Sequence, residues 1–309
     1  MSDKFAMAID LGASNVRVAI VSLTGNIVSK VKEQTIKEGR EGIAVTKQII
    51  RLSEAVLDAI QRSNLCGIGI SSIGPLDYQK GGPLNSPNIP FSFIPLVRPL
   101  KNHYNLPVYL LNDGNAAVLG EKKFGAGKKT KNLVYITLST GIGGGAIVDG
   151  NLLYGKGGNA AEVGHILVDT SYNILCSCKK GYGHWEGLAS GNNIPRFFEY
   201  WIKKEKQKTD FEVRETKDIF KALKEGNSLA LGFVNELSKI NAHALSTIIV
   251  AYDPELITLG GSVALNNPGS ILGGIMKYLD HYLPLPIIEI TKLGEDITLL
   301  GAASTAFQD

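Results

Sequence analysis

Residues 5–11, FAMAIDL, form a short apolar run that stops at a polar turn, Gly12-Ala13-Ser14-Asn15. Residues 16–22 are apolar and rich in β-branched side chains, and Thr24-Gly25-Asn26 after them has the composition of a hairpin turn. The pattern predicts strand, tight polar turn, strand, turn, strand. The same order returns later in the chain. Residues 133–138 are apolar, Ser139-Thr140-Gly141-Ile142-Gly143 make a small-residue turn, residues 144–148 are apolar, and Asp149-Gly150-Asn151 make a second hairpin turn. Two copies of one unit point to an internal duplication, each copy with a turn of small residues between its first two strands.

Between and after the copies the period changes. Residues 41–62 carry Ile43, Val45, Ile49, Ile50, Leu52, Val56, Leu57 and Ile60 at helical spacing. Residues 66–71 and 108–111 have the composition of buried strands, and 115–124 that of a helix. A long helix is expected over 228–250, a strand over 256–259 ending on Gly260-Gly261, and a closing helix over 301–307. Residues 203–217 are polar and are expected as a solvated helix-loop region. Strands alternating with helices place the chain in the α/β class. At 309 residues it is long enough for two domains, or two lobes around a central cleft.

Apolar residues make up 44% and charged residues 20%, and the net charge of +3 is too small to indicate nucleic acid or a membrane surface as partner. There is no secretory leader and no apolar stretch of spanning length, so a cytoplasmic location is expected. Three cysteines do not make a disulfide framework. Cys176 and Cys178 are one residue apart, too close for an unstrained disulfide, and read better as metal ligands. With His165 and His184 they have a spacing suited to a four-coordinate Zn²⁺ site.

Three further groups carry candidate chemistry. Asp10 to Asn15 and Ser139 to Gly145 are turns whose backbone N–H groups suit an anion, and Asp10 suits Mg²⁺ held through water. Asn112 and Asp113 follow a strand and open a helix. They are favoured helix caps, and they also stand where α/β folds place ligands, so both readings remain. Glu162, His165 and Glu186 have donors and acceptors for vicinal hydroxyls, though a lone Glu or His is more often a surface or satisfied core residue.

With these residues in place, the chain resembles the ROK family of sugar kinases within the actin-like ATPase superfamily, nearly end to end. Asp10 to Asn15 resembles the first phosphate loop and Thr140 to Gly145 the second. Gly67 to Ile70 and Gly74-Pro75-Leu76-Asp77 resemble the sugar-site wall, and Ser86-Pro87-Asn88 a segment whose Asn contacts the sugar. Asn112-Asp113 resembles the sugar-binding Asn and catalytic Asp, and Gly260-Gly261 the adenosine motif. Glu162-Val163-Gly164-His165 and Cys176-Ser177-Cys178 resemble the family signature.

The resemblance implies an actin-like ATPase (ribonuclease H-like) duplicated fold and an ATP-dependent kinase acting on a free hexose. Asp113 is then the catalytic base, and Asn88, Asn112, Asp113, Glu162, His165 and Glu186 bind the sugar. Asp10, Gly12, Ser14, Asn15, Thr140, Gly141, Gly143, Gly260 and Gly261 serve Mg²⁺ with ATP, and His165, Cys176, Cys178 and His184 hold a structural Zn²⁺. A homodimer is implied as well. A small lobe of 1–115 joined by helix 300–309, and a large lobe of 116–299 with the zinc loop, are expected.

Three features depart from the family pattern. Gly183-His184-Trp185-Glu186, after one extra residue, stands where a Gly-Cys-x-Glu is usual. Ala13, Ser14 and Asn15 replace the common Gly, Thr and Lys. Ser71-Ser72-Ile73 replaces a Pro-Gly-type stretch. This last change, with Ala160-Ala161-Glu162, is similar to N-acetylmannosamine kinases, so glucose and N-acetylmannosamine stand about equal as acceptors. Three rivals stand beside the kinase. The first is a repressor with a DNA-binding domain ahead of the fold, for which a phosphate loop at Asp10 is expected to leave no room. The second is a non-catalytic sugar-sensing regulator, against which Asp113 argues. The third is a generic actin-like ATPase, against which Asn88, Glu162, His165 and Glu186 argue.

Overall fold

The computed structural model describes residues 4–39, 41–86 and 89–307. Asn88 lies outside the described residues. The chain divides into two compact units. The first holds the chain up to Lys129, the stretch Leu152–Gly158, and the chain from Asp296 onward. The second holds Thr130–Asn151 and Asn159–Glu295.

The sheet of the first unit runs β3-β2-β1-β4-β7, with β1 Phe5–Leu11, β2 Asn15–Ser22, β3 Ile27–Gln34, β4 Leu65–Ser72 and β7 Val108–Asn112. β1 is antiparallel to β2 and parallel to β4, β2 is antiparallel to β3, and β4 is parallel to β7. The continuous apolar runs are the central strands. β3, whose sequence IVSKVKEQ alternates, is the half-exposed edge. Met7, Ile9, Val18 and Ile20 pack on Val45, Ile49 and Val56 of α1 (Ile43–Leu57). A short ribbon of β5 Leu76–Asp77 and β6 Gly82–Pro83, then α2 Val97–Tyr104, fill the connection to β7.

The opposite face of β1 and β4 carries Ala6, Ala8, Gly67 and Gly69, small enough for α10 (Ile297–Thr305) to lie close against it beside α3 (Asp113–Lys123). At the crossing of α3 and α10, a Cβ on Gly301 would stand 1.6 Å from the Ala116 carbonyl oxygen. This packing places α3 in the first unit, which therefore runs to Lys129 and not to residue 115.

The second sheet repeats the first: β10-β9-β8-β11-β12, with β8 Leu133–Leu138, β9 Ile142–Val148, β10 Asn151–Leu152, β11 Leu256–Gly260 and β12 Ile287–Ile290. Again the first strand is antiparallel to the second and parallel to the next, which is parallel to the last. The duplication read from the two hairpins is thus present in the sheets. α4 Trp185–Ala189, α5 Ile194–Lys204, α6 Thr216–Lys224 and α7 Ser228–Tyr252 precede β11, and α8 Ser262–Asn266 and α9 Pro268–Tyr278 follow it. Phe197, Phe198 and Phe233 meet edge-on in the core with centroids 5.1 to 5.2 Å apart, and Trp185 donates to Asn241 Oδ1 at 2.8 Å. Among the described residues no helix is long and apolar enough to cross a membrane.

Element bounds differ from expectation in places. α1 ends at Leu57, where Ala59 and Ile60 donate to Val56 and Leu57 in tighter i→i+3 bonds, so the helix does not reach residue 62. α10 occupies Ile297–Thr305 rather than 301–307. Gly143, Gly144 and Gly145 are ladder residues of β9, paired with Thr137, Ile136 and Tyr135, so the second turn is only Ser139-Thr140-Gly141.

Candidate functional site

In the first unit, β1 delivers Asp10 one residue before its end. Two N–H groups of Arg17, across the ladder on β2, donate to Asp10 Oδ2 at 2.7 and 3.0 Å. The turn that follows closes on itself, with Gly12 N–H donating to the Asn15 carbonyl at 2.9 Å and Thr35 Oγ1 to the Gly12 carbonyl at 2.8 Å. Among the described residues, the N–H groups of Ala13 and Ser14 have no acceptor. Two successive unpaired amides make a concavity for an anion. Gly12 spends its N–H inside the turn, so it shapes the loop while its neighbours offer the donors.

β7 ends at Asn112 and α3 begins at Asp113. Asn112 is the N-cap: its Oδ1 accepts the Asn115 N–H at 2.7 Å, and its Nδ2 donates to the Gly158 carbonyl at 3.3 Å. The capping reading therefore belongs to Asn112. Asp113 is the first helical residue and is exposed, with Oδ1 accepting the Gly114 N–H at 2.8 Å. The helix N-terminus favours a negative charge there.

The second unit repeats the turn. Ser139 N–H donates to the Gly141 carbonyl at 2.9 Å, and the N–H groups of Thr140 and Gly141 have no acceptor among the described residues. The next amide, Ile142 N–H, donates to Glu186 Oε2 at 3.1 Å, which ties Glu186 to this turn. Glu162 and His165 flank a single turn, Val163–His165, seated on β9. A Cβ on Gly164 would lie 2.1 Å from the Ile142 carbonyl, so only glycine allows this approach. Partial loss of water around the Glu162 carboxyl raises its pKa. His165 opposes that shift and Glu186 adds to it, so the three groups sense one another. Gly261, with φ +83°, turns the chain from β11 into α8.

The four candidate metal-ligand residues come together. Ligand atoms of His165, Cys176, Cys178 and His184 all lie within 4.8 Å of one another. Cys178 Sγ stands 3.6 Å from His184 Nδ1, and Cys176 Sγ 4.0 Å from His165 Nδ1. Tetrahedral zinc separates a thiolate from an imidazole by about 3.6 Å, so the donor set fits this ion. Burial pushes the Cys176 thiol up to about 11, which a coordinating cation would reverse. His165 turns Nδ1 toward the thiols, which leaves Nε2 for another partner. The extra residue before Gly183 does not keep His184 out of the set.

One part escaped the sequence. A cavity of about 590 Å³ opens between Thr140, Asn192, Thr216, Lys221, Ser262 and Asn267. It adjoins both the second turn and the start of α8, and Ser139 and Ser262 hydroxyls meet there at 3.2 Å. Thr216 fixes its α6 wall by donating to the Gly191 carbonyl at 2.6 Å. Residues 203–217 read as a solvated stretch, yet their end is part of this wall. The nearest signal was Ser262 directly after Gly260-Gly261.

Comparison with known proteins gives a consistent picture. The ROK family model matches residues 6–309. A glucokinase of Pyrobaculum calidifontis is 36% identical over 98% of this chain and 95% of its own. An N-acetylmannosamine kinase of Haemophilus influenzae is 28% identical over 96% and 93%. A ROK hexokinase structure from Thermus thermophilus superposes with a TM-score of 0.82 at 30% identity, covering 98% of each chain. A ROK glucokinase from Streptomyces griseus, in complex with glucose and AMPPNP, gives 0.79 at 28% identity over 99% of this chain and 100% of that one.

Proposed function

The chain belongs to the ROK family and is an ATP-dependent sugar kinase, and on that premise we propose that it transfers the γ-phosphate of ATP to the 6-hydroxyl of a free hexose, with glucose the preferred acceptor. Its architecture is the duplicated α/β arrangement of the actin-like ATPases. Glucose is favoured over N-acetylmannosamine because the glucokinase match, at 36%, exceeds the N-acetylmannosamine kinase match, at 28%.

The observation that carries the proposal is Asp113, an exposed carboxylate in the first turn of α3 next to a cap already supplied by Asn112. As general base it takes the proton of the attacking hydroxyl. Asn112 keeps one N–H of its amide for the sugar. Glu162 and Glu186 accept from sugar hydroxyls, and His165 offers Nε2. Asn88 joins this set from the resemblance alone.

The turns at Ala13-Ser14 and Thr140-Gly141 are assigned to the phosphates through their unpaired amides, and the 590 Å³ cavity to the nucleoside. Gly143, in the β9 ladder, stays in this set on the resemblance alone. Gly261 acts by turning the chain toward Ser262, and Gly260, still in β11, by leaving room for the Tyr135 ring. Mg²⁺ bound with ATP neutralises charge on the phosphates during transfer. Asp10 suits its hydration water, because Oδ1 has no partner among the described residues. Zn²⁺ is assigned a structural role at His165, Cys176, Cys178 and His184. Association as a homodimer and a cytoplasmic location complete the proposal on the resemblance.

The test is ADP release with Mg-ATP against glucose, mannose, glucosamine, N-acetylglucosamine and N-acetylmannosamine. Turnover with glucose far above the others supports the proposal. Turnover only with N-acetylmannosamine keeps the kinase and overturns the acceptor. No stimulation by any sugar leaves the non-catalytic sensor.

A further inference from the structure

We propose that Arg17 is the positioning residue of the nucleotide-metal site, holding the Asp10 carboxylate so that one oxygen is occupied and the other is presented to the ligand. The inference rests on the assignment of Asp10 to Mg²⁺-ATP and goes beyond it in saying what makes Asp10 competent.

The geometry is specific. Asp10 and Arg17 are opposite each other in the β1–β2 ladder, so their side chains rise from the same face of the sheet. Nε and one terminal nitrogen of Arg17 both reach Oδ2, at 3.0 and 2.7 Å. A fork closing on a single oxygen fixes the carboxylate rotamer and fills that oxygen. Oδ1 has no partner among the described residues. On the other side of Asp10 its parallel neighbour is Ser71, fully buried, whose Oγ makes no hydrogen bond, so Oδ1 takes no donor from that strand.

Arg17 is itself held from the far end of the chain. The same terminal nitrogen that binds Asp10 donates to Thr298 Oγ1 at 3.0 Å, and the other donates to Asp296 Oδ1 at 3.4 Å. Lys30 binds Asp296 at 2.7 Å. Asp296 and Thr298 stand where the chain re-enters the first unit to form α10. The guanidinium is only 17% exposed, so the network is shielded enough for geometry to persist where a surface pair would rearrange. A lysine at 17 delivers one point charge and cannot bind the carboxylate, Thr298 and Asp296 in this planar way. The arrangement lets Arg17 act through Asp10, by contacts within the protein.

The experiment uses the full chain in five forms: wild type, Arg17→Met, Arg17→Lys, Asp10→Asn and the Arg17→Met/Asp10→Asn double variant. Initial rates are taken against free Mg²⁺ at fixed ATP and saturating sugar, with a melting curve for each. Arg17→Met is expected to raise the half-saturating Mg²⁺ by about tenfold, with Arg17→Lys between it and wild type. In the Asp10→Asn background Arg17→Met is expected to add less than about twofold, since both act through one carboxylate. A merely structural Arg17 lowers the melting temperature and leaves the Mg²⁺ response within about twofold of wild type. That result, with Asp10→Asn still shifting the response, overturns the positioning role alone. An Asp10→Asn protein with an unchanged Mg²⁺ response overturns the assignment of Asp10, and the proposal falls with it.

Discussion

Asn112 caps the helix that Asp113 begins: its Oδ1 accepts the Asn115 N–H at 2.7 Å, and Asp113 enters the first turn as an exposed carboxylate. Two adjacent polar residues thus divide two tasks that either could perform by residue type. The division also fixes the Asn112 amide, because Nδ2 is drawn to the Gly158 carbonyl.

The division separates stability from binding. Asn112→Ser keeps a capping oxygen and is expected to stay within about 0.5 kcal/mol of wild type, while Asn112→Ala loses about 1 kcal/mol. Both lose the amide donor, so both are expected to raise the sugar KM by a similar factor. Denaturant melts and sugar titrations of the two variants check this. A normal KM in the Ser variant would remove Asn112 from the sugar site.

Glu162 predicts a pH dependence. Loss of water around its carboxyl, opposed by His165 and reinforced by Glu186, raises its pKa above the ordinary 4.5. The protonated form therefore persists to higher pH in the folded chain. Its contribution to folding is complete below 4.5 and is lost as pH rises through the raised value. The charged form accepts more strongly from a sugar hydroxyl, so the sugar KM is expected to fall as pH rises through that same range. Glu162→Gln is expected to flatten this limb. KM measured across the range for both proteins checks the sign.

The His and Cys cluster predicts one zinc per chain by elemental analysis. Cys178→Ala is expected to lose the metal and to lower the melting temperature, because metal affinity counts toward folding in such a site. His184→Cys restores the usual family ligand and is expected to keep the ion. Full metal content in the Cys178→Ala protein would contradict the site.

Gly301→Ala tests the fold that carries Asp113. Its Cβ would stand 1.6 Å from the Ala116 carbonyl oxygen, which forces α10 away from α3. A loss of about 1–3 kcal/mol or more is expected in a denaturant melt. A wild-type melt would mean the helices do not cross this closely.

Much of this was legible in the chain because local pattern carried it. The two strand-turn-strand copies depend on neighbouring residues, and their apolar runs and turns were enough to indicate the duplication. The Cys-x-Cys pair with two histidines needed only spacing. Long-range packing was not legible. Ile142 and Gly143 read as the end of the small-residue turn, and they are strand because they pair with Leu138 and Thr137 of β8. Residues 203–217 are polar and offered no sign that Thr216 would close a cavity wall with Ser262. The Arg17 network joins positions 279 and 281 residues apart. Which of Asn112 and Asp113 would cap α3 depended on where β7 stopped, and sequence alone left both readings open.

The most direct test of the central claim compares Asp113→Asn with wild type in two measurements on one preparation, kcat with Mg-ATP and glucose, and the glucose Kd without nucleotide. The account predicts that kcat falls by about 10²-fold or more, as expected for loss of a general base, while the Kd for glucose stays within about tenfold. A variant that keeps most of its kcat would contradict the assignment of Asp113 as the base.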